Sequence, residues 1–265
     1  MASCQIHNIS LETLIASSIS KELASFFNAH TKSFDKNTSK FEKQFIKQLR
    51  VYFKEQEAAT LKALHRKSKS IEDAERALAD KKYWADLLKE TLDDIYNDIV
   101  LTSGAATAQI LSGSFDILNP DVLKMMYNKL DKIVDINITT EDAIKLQLQR
   151  GIDAGDSINL MAMRIQSVFD DASNYRATTI ARTEVIGTYN GTSYETYRQN
   201  DIEKNQWLAT LDGRDRPDHA DAHMMIARVD KGFNVGGEIL MFPGDPSGSA
   251  GNIINCRCTT IAIID

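Results

Sequence analysis

In the N-terminal part of the chain, apolar positions recur at helical steps. Phe41, Phe45, Leu49 and Tyr52 make one set, and Trp84, Leu88, Leu92, Ile95 and Ile99 make another. Each set is one face of a helix. The spacing predicts long helices over about 36–67 and 70–101, forming an antiparallel pair that turns at Lys67-Ser-Lys-Ser70. Shorter helices are expected over 120–134, 139–150, 156–170 and 173–200. Asn119-Pro120 offers a cap followed by a proline at the first helical position, and Thr139 precedes first-turn acids.

Beyond about 204 the pattern changes. Gln206–Leu211 and Ile253–Ile263 are rich in β-formers and bounded by turn residues, so both are expected as strands. A short helix starting near Pro217 should carry His219 and His223 on one face. Glycine and proline follow the same division. Pro120 is the only proline before 217, whereas seven glycines and three prolines follow from Gly213 onward. The expected fold class is mainly α: an elongated N-terminal helical region, with the long antiparallel pair and shorter helices, followed by a small α+β C-terminal module. Three parts are expected, at 1–135, 136–203 and 204–265.

Composition narrows the function classes. With 43% hydrophobic and 26% charged residues the chain can build a core. No stretch approaches the ~18 uninterrupted apolar residues of a membrane span, so no membrane partner is expected. The N-terminus lacks a basic segment followed by an apolar one, which predicts that the chain stays in the reducing compartment where it is made. A formal charge of −6 gives no global reason to bind nucleic acid. Locally, however, residues 31–70 hold eleven Lys or Arg against four Asp or Glu. Lys36, Lys40, Lys43, Lys47, Arg50 and Lys54 alternate at steps of four and three, which places them on one helical stripe. The stripe reads either as a solvated face or as a contact for phosphates or an acidic protein.

Cys4, Cys256 and Cys258 are too few for a disulfide scaffold. Cys256 and Cys258, two apart on an expected strand, point to the same side. With His219 and His223 they would complete a Cys2His2 set suited to zinc; the other reading is buried thiols beside a structural histidine.

Four blocks occur in order: Ile180-Ala-Arg-Thr-Glu184, Trp207-Leu-Ala-Thr-Leu-Asp-Gly-Arg-Asp-Arg-Pro-Asp-His219, Phe242-Pro-Gly-Asp-Pro246 and Asn255-Cys-Arg-Cys258. Together they resemble the phage Mu F-like minor head (head morphogenesis) protein family, from roughly Gly151 to Ile263. The resemblance marks Arg182, Glu184, Trp207, Asp212, Arg214, Arg216, Pro243, Gly244, Asp245, Asn255 and Arg257 as structural motif positions. It implies a minor capsid protein of a tailed bacteriophage, made in the host cytoplasm and resident inside the head of the virion. Its partners would be the portal protein, the capsid interior and packaged double-stranded DNA. Its role would be head assembly, DNA packaging or ejection, with no enzymatic activity. Related phage proteins carry a toxin domain after this module, for which the residues after Cys258 are expected to leave no room. The alternative is a metal-dependent nuclease or hydrolase built on His219, His223, Asp215 and the two cysteines. A host DNA-binding regulator is disfavoured by a pI of about 5.5.

Overall fold

The structure is a computed structural model that describes residues 11–65, 76–78 and 80–264. Cys4 and the expected turn at 67–70 lie outside the described residues. The protein is mainly helical, with long helices in its N-terminal part and a small strand-containing C-terminal region. In chain order, α1 is Leu11–Leu64, α2 Lys81–Leu111, α3 Pro120–Lys132, α4 Asp135–Asp153 and α5 Ile158–Asp171. A π-helical turn, Ala172–Arg176, leads into α6, Ala177–Gln199. Then come β1 Lys204–Leu208, α7 Pro217–Asp221, β2 Ile226–Arg228, β3 Phe233–Val235, β4 Glu238–Leu240, α8 Ala250–Ile253 and β5 Thr259–Ile263.

Packing separates the chain into two compact units, Met1–Asn37 and Thr38–Asp265, and α1 contributes to both. The first unit consists, among the described residues, of the N-terminal part of α1, where Thr31 Oγ1 donates to the carbonyl of Phe27 at 2.9 Å.

In the second unit Phe41, Phe45, Leu49, Tyr52 and Phe53 of α1 are buried, as are Trp84, Leu88, Leu92, Tyr96 and Ile99 of α2. The two helices meet through aromatic edges: Phe45 on Tyr96 with centroids 5.6 Å apart, and Tyr52 on Trp84 at 6.0 Å. The order of these contacts makes the pair antiparallel. Both helices differ from their expected spans. α1 begins well before 36, and α2 is fixed at its start by Asp80, whose side chain accepts from the Tyr83 N–H. α2 also runs on past 101, because its last turns carry small polar residues that seat against α6. Ser103 Oγ donates to Tyr189 O at 2.7 Å, and Thr107 Oγ1 lies 3.0 Å from Ser193 Oγ.

Asn119 caps α3 through its side chain and Ser157 caps α5. Thr139, expected as a cap, lies inside α4, where its hydroxyl donates to Asp135 O. The chain passes from α3 to α4 through residues that keep helical dihedrals, so no cap is required there. The α5–α6 boundary is likewise continuous. A π-helical turn leaves backbone carbonyls off the regular ladder, and Arg50 Nε of α1 donates to one of them, Ser173 O, at 2.9 Å.

α6 is the central element. From Val185 to Tyr194 every residue is buried, including Thr188, Asn190, Thr192 and Ser193. It packs against α2, α3 and β5. The C-terminal region forms a three-stranded antiparallel sheet in the order β2-β1-β5, with Trp207 opposite Thr260, and a separate β3–β4 hairpin pairing Phe233 with Leu240. β1 starts earlier than expected and ends at Leu208, and β5 occupies only the last part of 253–263, after the short α8.

Candidate functional site

The C-terminal module closes over a core of Trp207, Ala209, Ala222, Phe233, Val235, Leu240, Cys256 and Cys258. Pro217 opens α7, where its missing N–H costs nothing, and this one-turn helix delivers His219 to the core. The His219 ring stands edge-on to Trp207 with centroids 5.6 Å apart. Its Nδ1 lies 3.4 Å from Cys258 Sγ and 3.6 Å from Cys256 Sγ. The three donor atoms lie within 4.8 Å of one another. All three residues are 2% exposed.

His223 stands apart from them. α7 stops at Asp221, and the chain reverses through Met224 at φ +65°. His223 Nδ1 accepts the Ala209 N–H at 3.1 Å, a backbone bond that ties this turn to the end of β1. The four-residue spacing therefore does not place the two imidazoles on one helical face, because the helix ends before His223.

The cysteines are held from both sides. Asn190 of α6 donates to Cys258 O at 2.9 Å and to Pro243 O at 3.0 Å, and accepts from Thr259 Oγ1 at 2.9 Å. Thr210 Oγ1 donates to Arg257 O at 3.0 Å. With both thiols turned inward, the intervening Arg257 turns outward and takes Asp212 through two nitrogens, at 2.9 and 2.7 Å. Electrostatically the thiols are unequal. Hydrogen bonding from Cys258, with His219 behind it, lowers Cys256 to about 5. The hydrogen bond to Cys256, together with burial, pushes Cys258 up.

The remaining motif residues are occupied by partners within the chain. Arg182 reaches Glu42 of α1, Nε to Oε2 at 3.6 Å, and Asn255 Oδ1 at 3.4 Å. Asn255 in turn donates its backbone N–H to Thr183 Oγ1 at 3.0 Å. Glu184 accepts from Tyr96 Oη at 2.9 Å and pairs with Lys129 at 3.2 Å. Burial and the adjacent Glu184 carboxylate raise the Tyr96 phenol, which therefore remains a donor. Asp212 also binds Arg214, whose hydrogen bond is the largest cause of its depressed pKa, followed by Arg257. Asp212 accepts the Arg214 backbone N–H as well, and Asp215 caps the Asp212 N–H. Arg216 donates to the carbonyl of Ile254.

In the Phe242–Pro246 loop, Asp245 receives the N–H groups of Met241 at 2.8 Å and Ser247 at 2.9 Å. Gly244, at φ +82°, lies so close to α6 that a Cβ on it would sit 2.8 Å from Gly187 Cα. Pro243 presents its carbonyl to Asn190. Trp207 is fully buried.

On α1, Lys40, Lys43, Lys47, Arg50 and Lys54 are all exposed in the second unit, and Lys36 is exposed in the first. Lys40 Nζ lies over the Phe41 ring at 5.3 Å, and Arg50 is drawn toward the π-helical turn.

Sequence reasoning missed Asn190, Lys129, Tyr96 and Glu42. Only Asn190 had a signal: it sits in Gly187-Thr-Tyr-Asn-Gly-Thr-Ser193, a run of small and polar residues that a helix tolerates where backbones approach closely.

Residues 142–261 match the family described as Phage Mu protein F like protein. The chain is 29% identical over 150 residues to the uncharacterized protein YqbB of Bacillus subtilis, covering 54% of this chain and 48% of that protein. It is 36% identical over 99 residues to the NAD(+)–arginine ADP-ribosyltransferase EFV of Enterococcus faecalis, covering 36% of this chain and 20% of that protein. The chain therefore spans about half the length, or less, of these curated relatives. No solved structure matches it.

Proposed function

With residues 142–261 belonging to the Phage Mu protein F like family, we propose that the protein is a head morphogenesis component of a tailed bacteriophage, resident inside the virion head and attached to the portal. The observation that carries this reading is where the motif side chains are used. Arg182, Glu184, Asp212, Arg216, Asp245, Asn255 and Arg257 all bond to other residues of the chain. They hold a scaffold together and do not converge on a substrate. A rigid body of this kind, carrying a cationic helix face, suits a component that is built into an assembly.

The exposed stripe Lys40, Lys43, Lys47, Arg50 and Lys54 is the surface proposed to meet packaged DNA. Contact with phosphates would be sequence-independent and steeply weakened by salt. No described helix is long and apolar enough to cross a membrane. The reading of a nuclease or hydrolase built on His219 and the cysteines is disfavoured by their burial, since a substrate would have to displace the Trp207 core to reach them.

Co-expression with the portal protein of the same phage tests the assembly role. A complex of fixed stoichiometry is expected, and its absence where the portal itself assembles would overturn that role. Reversing Lys43, Lys47 and Lys54 to Glu should lower the logarithmic salt slope of duplex DNA binding by about three. An unchanged slope would exclude the stripe as the DNA-facing surface.

A further inference from the structure

We propose that His219 Nδ1, Cys256 Sγ and Cys258 Sγ are three ligands of a structural zinc ion whose set does not include His223. The inference stands independently of the head-assembly reading, because it rests only on the geometry of these side chains.

Zinc bonds of about 2.3 Å to sulfur and about 2.0–2.1 Å to imidazole nitrogen, at tetrahedral angles, set a nitrogen–sulfur separation of about 3.6 Å. The observed separations are 3.4 and 3.6 Å, with all three donors inside 4.8 Å. Both sulfurs therefore already stand at the distances from the imidazole that one ion would impose.

The polar accounting of the pocket points the same way. His219 Nε2 is buried and has no hydrogen-bond partner. If Nδ1 only accepted a thiol proton, an imidazole would be taken out of water for weak sulfur hydrogen bonds while its other nitrogen went unmet. A lone unsatisfied group costs about 1–3 kcal/mol. A metal–nitrogen bond at Nδ1 is strong enough to offset that cost.

The ligands are also held in place before any ion arrives. Asn190 and Thr210 fix the carbonyls of Cys258 and Arg257, Arg257 is turned away onto Asp212, and Pro217 sets the start of the turn that carries His219. Among the described residues, no fourth His, Cys, Asp or Glu joins the group, so side chains of this set fill three of the four tetrahedral positions. The ion would tie α7 to the segment before β5, across a module whose strands are only three to five residues long.

The test uses the full chain, expressed with added zinc and purified without chelator. Elemental analysis should give about one zinc per chain. His223→Gln should keep that stoichiometry, whereas Cys258→Ser and His219→Gln should lose it. Because those two variants can also fail to fold, a second measurement is made on the unaltered chain. Exchange of zinc for Co2+ should produce thiolate-to-metal charge-transfer absorption with the intensity of a four-coordinate site, and chelation should lower Tm by more than about 5 °C, reversibly with zinc. Less than a tenth of a zinc per chain, with no cobalt–thiolate band, would overturn the site. Loss of the metal in a folded His223→Gln variant would overturn the three-ligand assignment.

Discussion

The paired helices α1 and α2 bury rings and aliphatic chains along continuous faces, so that Phe45 meets Tyr96 and Tyr52 meets Trp84 with little help from polar groups beyond the Tyr52 hydroxyl. The C-terminal module buries a smaller apolar set around Trp207 and adds two thiols and an imidazole to it. The segments between its short strands are then fixed one at a time, by Asn190 on Pro243 and Cys258, Thr210 on Arg257, Asp245 on its own loop and Arg257 on Asp212. In the helices a single repeating face sets the packing, and each side chain contributes according to its volume. In the module each tie is separate, and most link residues far apart in the chain. The cost of a substitution there should follow the tie that is broken more than the volume that is lost.

The comparison is tested most severely by Trp207→Ala set beside Phe45→Ala. Each removes a fully buried ring and should destabilise the protein by about 3–5 kcal/mol in urea unfolding. Hydrogen exchange should separate them, because Trp207→Ala is expected to expose amides of β1, β2 and β5 while those of α2 stay protected. Equal loss of protection in α2 would mean that helices and module unfold as one cooperative unit, and the contrast would fail.

Asn190→Ala should come next. It removes little volume but leaves two buried carbonyls and the Thr259 hydroxyl without their partner, at about 1 kcal/mol each. A total of about 2–3 kcal/mol is therefore expected, well above that of a small-to-smaller change on the exposed face of α1. A loss below about 0.5 kcal/mol would show that water replaces these bonds and that the polar ties matter less than the apolar core.

The smallest effect is assigned to Asp212→Asn and is read as a pH dependence. Hydrogen bonds from Arg214 and Arg257 hold the Asp212 carboxyl well below its ordinary value of about 3.9. A depressed folded-state pKa stabilises the fold above the unfolded-state value, and that contribution fades as pH falls below about 4 toward the folded-state pKa. Tm of the native chain should therefore exceed that of the variant at neutral pH, and the gap should narrow in acid. Because the site is open to solvent, the gap should also shrink with added salt. A gap that widened on acidification would contradict the assigned partners.

The amphipathic faces of α1 and α2, the Asn119 cap and the change of texture near 204 were legible because they follow from local periodicity and turn chemistry. The extension of α1 back to Leu11 went unread, although Leu11, Ile15, Ile19, Leu23 and Phe27 recur at steps of four in the sequence. The Thr139 cap misled because a capping residue is useful only where the backbone leaves the helix, and α4 is already helical there. At the candidate site, both thiols lie beside the His219 imidazole, although Cys256 and Cys258 precede β5 and are not on the strand that the Cys-x-Cys spacing was read against. His223 does not join them, because the i, i+4 rule holds only while the helix continues and α7 makes a single turn.

By itself the sequence determined where the cores of most helices lie, where the strand-forming region begins and which residue types could meet at the module, since each depends on neighbours a few positions apart. It also carried the ordered motif blocks that fall largely within residues 142–261, the part of the chain that matches the Phage Mu protein F like family. Only the tertiary structure decided what those motif residues touch. Arg182 finds Glu42, Glu184 finds Tyr96 and Lys129, and Asn190 joins Pro243 to Cys258. These pairings span long stretches of chain and are chosen by the packing of α6 among its neighbours, where a polar group removed from water must take whichever partner the fold brings within reach.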